Sequence, residues 1–334
     1  MLESVSYITD YITNYITYNF QLKYLIIFII LLVMVSLYIK SIDTYKYFNK
    51  FKIILYHYNS DGAIKKTLQS IVSQKYQNFE VLIIDDKSTN IADLNYINKF
   101  MKIYNNNNKN HKNKRRIKKS NDKYKLLKIN RHIGDVYCYA LGLNALKCKS
   151  NDVIILMESS DWFIKKDALK IIRKKYSTNA ENMMTLGSSN NFLVGLNKYV
   201  KNVKYLNNLY KNEQNIYHIM EKNNFRENEW LVDKPITFKY HLWKHFNREN
   251  LLAPNKKFFN NGYQYIYTLP LLEMIQGRFK IINEYILAKS KANNVSFIDN
   301  NINNQSKENL NIIRSYPKNK SIFETPLESY SFID

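Results

Sequence analysis

The sequence predicts an α/β domain, a mostly parallel sheet flanked by helices, preceded by one transmembrane helix. Three observations point there. Short apolar runs alternate with segments of helical period, polar clusters follow three of those runs, and one uncharged stretch stands near the amino terminus. An apolar run of five or six residues fits a strand buried on both faces, as a parallel sheet between helices requires.

Residues 24–39, YLIIFIILLVMVSLYI, are sixteen residues without a charge, closed by Lys23 and Lys40. A spanning helix needs about 20 apolar residues, with about 17 as the lower limit. Phe20 and Leu22 lengthen the run, and Lys23 can reach the interface. The run is apolar all round, whereas a helix packed on one side is striped. The preceding segment, 1–19, is acidic (Glu3, Asp10) and no small-residue cleavage site follows, which separates it from a signal peptide. The expectation is a single-pass membrane anchor over 20–40. Lys40, Lys46, Lys50 and Lys52 follow it while only Lys23 precedes it, so the positive-inside rule places the carboxyl-terminal bulk in the cytosol. Asn294, Asn304 and Asn319 head glycosylation sequons that would suit a lumenal side, but an Asn-rich chain gives such matches by chance.

After the anchor, FKIILY (51–56) reads as a strand. GAIKKTLQSIVSQKY (62–76) carries apolar residues at 64, 68, 71 and 72, a helical period. FEVLII (79–84) is a second strand ending on Asp85-Asp86, and KLLKIN (125–130) a third. A helix over 134–147 leads to VIILM (153–157), the fourth. Ligands of such sheets sit at the carboxyl ends of the strands. HYNSD (57–61), DDKST (85–89) and ESSDW (158–162) all fall there.

The formal charge of +22 would suit nucleic acid or an anionic surface. Much of it is local: residues 105–123 carry eight Lys/Arg against one Asp. Such a run reads as a solvated loop, and nucleic acid is not the expected partner. Cys138 and Cys148 lack metal or redox spacing. His241 and His245 stand at i, i+4, but without the adjacent Glu of a zinc protease.

The stretch YHYNSDGAIKKTLQSIVSQKYQNFEVLIIDDKST resembles the opening of the family-2 glycosyltransferases, inverting nucleotide-sugar enzymes of GT-A fold. The shared positions are Tyr58-Asn59, Leu68, Ser70, Ile71, Gln74, Tyr76, Phe79-Glu80, Asp85-Asp86, Ser88 and Thr89. Asn130, Gly134, Ala140 and Asn144 continue the likeness more loosely. The resemblance is firm over 50–165, implying a nucleotide-sugar-binding half. It is weaker over 225–296, within the implied acceptor half, 166–296, and a polar tail, 297–334, expected to be partly disordered, closes the chain.

The resemblance implies a nucleotide-sugar donor bound by Tyr58, Asn59, Asp85 and Asp86, and a glycan, protein or lipid acceptor. It also implies Mg²⁺ or Mn²⁺, because charge builds on the departing diphosphate and a cation held by carboxylates neutralises it. Where the family carries Leu-Asp-x-Asp-Asp-Trp, this chain has Met157-Glu158-Ser159-Ser160-Asp161-Trp162. Glu158 and Asp161 are the implied metal ligands, with Ser160 in place of an Asp. The other reading is that Ser160 caps a helix starting near Ile164 and no metal binds. An inverting transfer also needs a base. Gln264 stands near where the family places an Asp, which leaves the base unassigned, with Glu273 as a weak candidate and Glu227, Glu229 and Asp233 as further ones. The alternative to an active transferase is a catalytically degenerate scaffold. Trp230 could stack on an acceptor sugar, whereas Trp243 is expected to pack in the core.

Overall fold

The computed structural model describes residues 20, 22–36, 50–106, 123–177, 181–193, 198–200, 224–228, 230, 232–291 and 297–323. The chain divides into two compact units, Met1–Tyr47 and Phe48–Asp334. In the first, residues 22–36 are helical, and the large apolar side chains from Leu22 to Val35 are exposed. Among the described residues no helix is long and apolar enough to cross a membrane. The remainder of the expected anchor over 20–40, and most of the basic run 105–123, lie outside the described residues.

The second unit is built on nine strands. They are β1 (Phe51–His57), β2 (Phe79–Asp85), β3 (Tyr124–Lys128), β4 (Val153–Glu158), β5 (Asp161–Phe163), β6 (Met184–Leu193), β7 (Lys198–Val200), β8 (Asp233–Lys239) and β9 (Phe279–Lys291). Among the described residues they form one sheet in the order β3-β2-β1-β4-β8-β6-β9-β5, with β7 on β6. β3, β2, β1 and β4 run parallel. β8 then reverses direction against both β4 and β6, and β5 is antiparallel to β9. The sheet is therefore mixed rather than mostly parallel. The parallel half consists of the apolar runs; the reversed half uses strands with polar faces, such as DKPITFK in β8, which a search for continuous apolar runs passes over.

Helices α1 (Ala63–Val72), α2 (Ile91–Asn106), α3 (Asp135–Ala145) and α4 (Ala168–Ser177) cover the parallel half. α1 buries Ile64, Leu68 and Ile71, the i, i+4, i+7 stripe of a helix packed on one side. These side chains join Phe51, Ile53, Leu55, Val81, Ile83, Val153 and Ile155 in a core on one sheet face. The alternate residues Ile54, Leu82, Ile84, Ile154 and Leu156 enter a second core on the other face with α3. That alternation is what the two-residue period of a strand dictates. Gly142 of α3 lies where any Cβ would meet Ile54 and Ile84, so helix and sheet approach closely.

The second core also takes α5 (Tyr240–His245), α6 (Tyr263–Ile266), α7 (Thr268–Ile275) and α8 (Phe297–Ser315). α8 occupies much of the segment expected to be a partly disordered tail. Leu310 and Ile313 are buried, and Tyr316 Oη donates to the Leu252 carbonyl at 2.7 Å. Ile312 packs beside them, and Asn309 donates to the Asn261 carbonyl at 2.9 Å.

Candidate active site

The carboxyl ends of β1, β2 and β4 lie side by side, since β1 pairs with both of the others in parallel. The three polar clusters therefore share one edge of the sheet, where their chemistry divides them into two groups.

At the ends of β1 and β2, protein donors surround the carboxylates. Asp86 is fully buried. It accepts hydrogen bonds from Ile133 N and Gly134 N at 2.9 Å each and from Tyr56 Oη at 3.1 Å, and His132 Nδ1 stands 2.8 Å away. Gly134 is needed there. Its φ of +88° suits glycine, and a Cβ would lie 2.0 Å from the Asn260 carbonyl oxygen. Asp85 accepts from Ser88 N at 3.2 Å. Asn59 Oδ1 accepts from Thr89 N and Asn90 N at 2.8 and 3.1 Å, tying the two strand-end loops together. Asp93 accepts from Ser60 N and Gly62 N at 2.9 Å each and so fixes the first turn. Of the four residues expected to bind nucleotide, Tyr58 alone offers a large exposed surface, at 40%. Its ring stacks on His132 with centroids 4.1 Å apart and planes inclined by 25°.

His57 lies beneath these loops, fully buried. Its Nδ1 is 3.0 Å from Ser159 Oγ and its Nε2 is 3.9 Å from Asp93 Oδ2. Burial lowers the ring's proton affinity against the pull of Asp85 and Asp93, which favours a neutral imidazole.

The second group gathers around β4 and β5. Ser159 and Ser160 form a turn, and Asp161 opens β5, which pairs with β9 so that Asp161 faces Lys289. Ser160 caps no helix: α4 begins only at Ala168, and Ser160 Oγ faces Glu158 Oε2 at 3.5 Å. β8 supplies the partner. Its antiparallel register on β4 matches Ile155 with Thr237, and continuing that register brings Lys234 abreast of Glu158. Lys234 Nζ lies 2.6 Å from Glu158 Oε1 and 3.0 Å from Asp161 Oδ2. Lys289 Nζ is paired with Asp233 Oδ1. Asp135, at the first turn of α3, lies within the electrostatic reach of Glu158 and Lys234; its Oδ1 is buried and has no hydrogen-bond partner among the described residues.

The charges follow from this packing. Burial works to raise the Glu158 carboxyl, yet the Lys234 ammonium holds it below its ordinary value. Burial pushes Asp161 up to about 6 against the same lysine, with repulsion from Glu158 adding to the rise. Burial, then repulsion from Glu158, lifts Asp135 to about 8. Burial works to lower the Lys234 ammonium, but Asp161 and Glu158 hold it above its ordinary value. Two acids share one ammonium, so Asp161 takes up a proton before Glu158.

Among the described residues no group of three or more His, Cys, Asp or Glu is gathered as a metal centre would need. Both expected ligands, Glu158 and Asp161, are brought together, but around Lys234 Nζ. As arranged, this donor set does not fit a divalent cation, which takes oxygen ligands at about 2.0–2.1 Å for Mg²⁺ and would meet an ammonium already in place.

Glu273 is fully buried. Its carboxylate is paired with Arg226 and accepts from Asn319 N and Nδ2 at 2.9 Å each, so it fastens the carboxyl-terminal segment. Glu229 lies outside the described residues. Trp243 packs in the core as expected, with Nε1 donating to Asn144 Oδ1 at 3.2 Å, and Trp230 stands edge-on to Tyr265. Lys234, Asp135 and His132 escaped the sequence reading. Asp135 adjoins Gly134 of a motif that was read, whereas Lys234 is marked only by strand register.

Solved structures of similar fold include the 1–349 fragment of S. aureus TarS, with 16% identity and a TM-score of 0.46 over 72% of this chain and 60% of that one. The mannosyltransferase PcManGT from Pyrobaculum calidifontis, in complex with GDP-Man and Mn²⁺, has 14% identity and a TM-score of 0.45 over 73% and 57%. GalNAc-T7 with UDP, GalNAc and Mn²⁺ has 10% identity and a TM-score of 0.47 over 72% and 44%. The chain thus spans about 60% or less of each neighbour's length. No curated protein matches. The model of the family described as "Glycosyl transferase family 2" matches residues 52–225, more than half of the chain. On that match, and with the strand-end clusters its parallel strands bring together, the chain belongs to glycosyl transferase family 2.

Proposed function

We propose that this chain transfers a sugar from a nucleotide diphosphate donor to a glycan, protein or lipid acceptor with inversion. The observation that carries the reading is the convergence of Tyr58, Asp85-Asp86 and Glu158–Asp161 on one sheet edge, at the carboxyl ends of adjacent parallel strands. In this reading the nucleoside lies against Tyr58 and His132, whose stacked rings form an exposed platform. Asp86, with its hydrogen bonds to protein groups, holds the 132–134 loop under that platform. The diphosphate lies toward Lys234.

In the reaction, the acceptor oxygen bonds to the anomeric carbon from the face opposite the diphosphate. The carbon–oxygen bond to the diphosphate breaks, leaving its electron pair on the phosphate oxygen. The acceptor's proton goes to a carboxylate, and Asp135 is the one suited to receive it. It accepts from the backbone N–H of Tyr263, the neighbour of Gln264, and because burial lifts it to about 8 it serves as base only once it has released its own proton, so transfer is expected to rise with pH through that value.

Membrane attachment through residues 20–40 belongs to the same proposal, supported by the exposed apolar side chains of 22–36 and the lysines on either side. With the catalytic unit on the cytosolic side, alkaline extraction would leave the chain with the membrane, and protease added outside sealed vesicles whose cytosolic face is inward would spare it.

The test of the central claim is calorimetric titration of UDP and GDP into the full chain, followed by a screen of nucleotide sugars for release of nucleoside diphosphate. Binding of one nucleotide and turnover of one of its sugars is the expected result. A folded chain that binds a nucleotide and turns over none of its sugars is the degenerate scaffold. One that binds neither nucleotide is not a transferase of this kind.

A further inference from the structure

Glu158 and Asp161 stand where family resemblance implies a divalent cation, and a lysine stands between them. We infer that Lys234 is a resident cation: its ammonium takes the place of a metal ion, and the chain holds its donor diphosphate without Mg²⁺ or Mn²⁺. The inference rests on reading this site as a nucleotide-sugar site.

Geometry carries it. Nζ lies at hydrogen-bond distance from one oxygen of each acid, 2.6 Å from Glu158 and 3.0 Å from Asp161. A metal bridging the same oxygens would collide with the ammonium and be repelled by it. Several contacts fix the lysine. Its strand is registered on β4, the following Pro235 packs on Gly187 where no Cβ would fit, and the Tyr263 ring lies 5.2 Å from Nζ. Charge balance agrees. A monovalent ammonium needs one carboxylate fewer than a divalent ion, and the neutral Ser160 stands where the family resemblance implies an Asp.

Lys234 is buried, but the Glu158 side chain keeps 33% of its surface exposed. An ammonium has three N–H donors. Two go to the carboxylates, and with no third acceptor among the described residues the remaining N–H is the one proposed for a phosphate oxygen. Lys289, on the adjoining β9, is held by Asp233 and adds a second positive charge beside the cluster.

The test measures metal uptake directly. Mn²⁺ is titrated, with free ion followed by electron paramagnetic resonance, into the full-length wild type, Glu158→Gln, Lys234→Met and the double variant Lys234→Met/Glu158→Gln. UDP and GDP affinities are measured alongside, in EDTA and in Mn²⁺. The wild type is expected to leave the Mn²⁺ signal unchanged and to bind nucleotide equally in both conditions. Lys234→Met is expected to take up one Mn²⁺, lost again in the double variant, and to bind nucleotide about tenfold more weakly in EDTA, with Mn²⁺ restoring it.

Uptake of Mn²⁺ by the wild type at this site, abolished by Glu158→Gln, overturns the inference. So does failure of both wild type and a folded Lys234→Met to take up the ion. If Lys234→Met does not fold by circular dichroism, the wild-type and Glu158→Gln titrations decide alone. If Lys234→Met gains Mn²⁺ while no chain binds UDP or GDP in either condition, the transferase reading fails and Lys234 still stands as occupant of a cation site.

Discussion

Two acidic clusters share one edge of the sheet and are held by opposite means. Around Asp86 and Asp93, backbone N–H groups and hydroxyls from neighbouring loops supply the hydrogen bonds. Around Glu158 and Asp161, the partner is one buried ammonium from a distant strand. Neutral donors fix a loop in one shape, because each N–H is part of the backbone it holds. An ammonium on a flexible stem fixes charge rather than shape. The first cluster therefore builds the walls of a pocket, and the second sets the potential inside it.

Removing Lys234 would break the contrast most severely. Breaking a buried ion pair from one side costs roughly 3–5 kcal/mol, because the remaining charge has no counterion. Lys234→Ala is expected to lose stability on that order in urea unfolding at pH 7, and to slow sugar transfer about 100-fold or more. The loss should shrink toward pH 5, where Asp161, titrating at about 6, takes up a proton. A variant as stable as the wild type at pH 7 would show that charge does not hold the second cluster.

Asp135 sharpens the same point through pH. Its folded value of about 8 lies above the ordinary 3.8. The stability linked to its proton is therefore complete below about 4 and is lost as pH rises through 8, since the unfolded chain has already released the proton. Asp135→Asn should match the wild type at pH 4 and exceed it at pH 8 by something on the order of 3 kcal/mol in thermal unfolding, while sugar transfer is abolished. A residue that costs stability and is needed for activity is a working group. Equal stability at both pH values would mean that Asp135 is not a strained acid.

The clusters also differ in how far sequence reveals them. Asp85-Asp86 follows an apolar run, and Asn59 sits at the end of another, so both were legible from period and punctuation. Glu158 and Asp161 were legible as acids, but their partner was not. Lys234 reaches them through an antiparallel pairing of residues far apart in sequence, and nothing in the local sequence DKPITFK marks it. The same limit hid the reversed half of the sheet, whose strands mix polar and apolar residues. Helix α2 is a different case: apolar residues at 91, 94, 97, 100, 101 and 104 carry a helical period that the strong strand signals on either side overshadowed. In α8, the stripe of Leu310 and Ile313 was lost in a polar background.

Within the first cluster, Asp86→Asn tests whether its wall is built of donors. The amide keeps the shape but turns one acceptor oxygen into a donor facing N–H and hydroxyl groups, a buried mismatch of about 1–3 kcal/mol. Thermal unfolding should register the loss, and nucleotide affinity should fall with it as the 132–134 loop loosens. Unchanged stability would mean that these hydrogen bonds are incidental.

The smallest effect belongs to the platform. Tyr58 is half out in solvent, and its stack on His132 contributes little to the fold, so Tyr58→Ala should leave unfolding within about 0.5 kcal/mol of the wild type, as exposed positions do. A base resting on that ring would lose roughly 0.5–1.5 kcal/mol of stacking, a two- to tenfold weaker nucleotide affinity, and Tyr58→Phe should restore it because the face rather than the hydroxyl is used. The same substitution should leave the Mn²⁺ response at Lys234 untouched, since ring stacking and ammonium charge act on different parts of one ligand. If Tyr58→Ala instead altered that response, the two clusters would be coupled, and the separation of wall from potential would not hold.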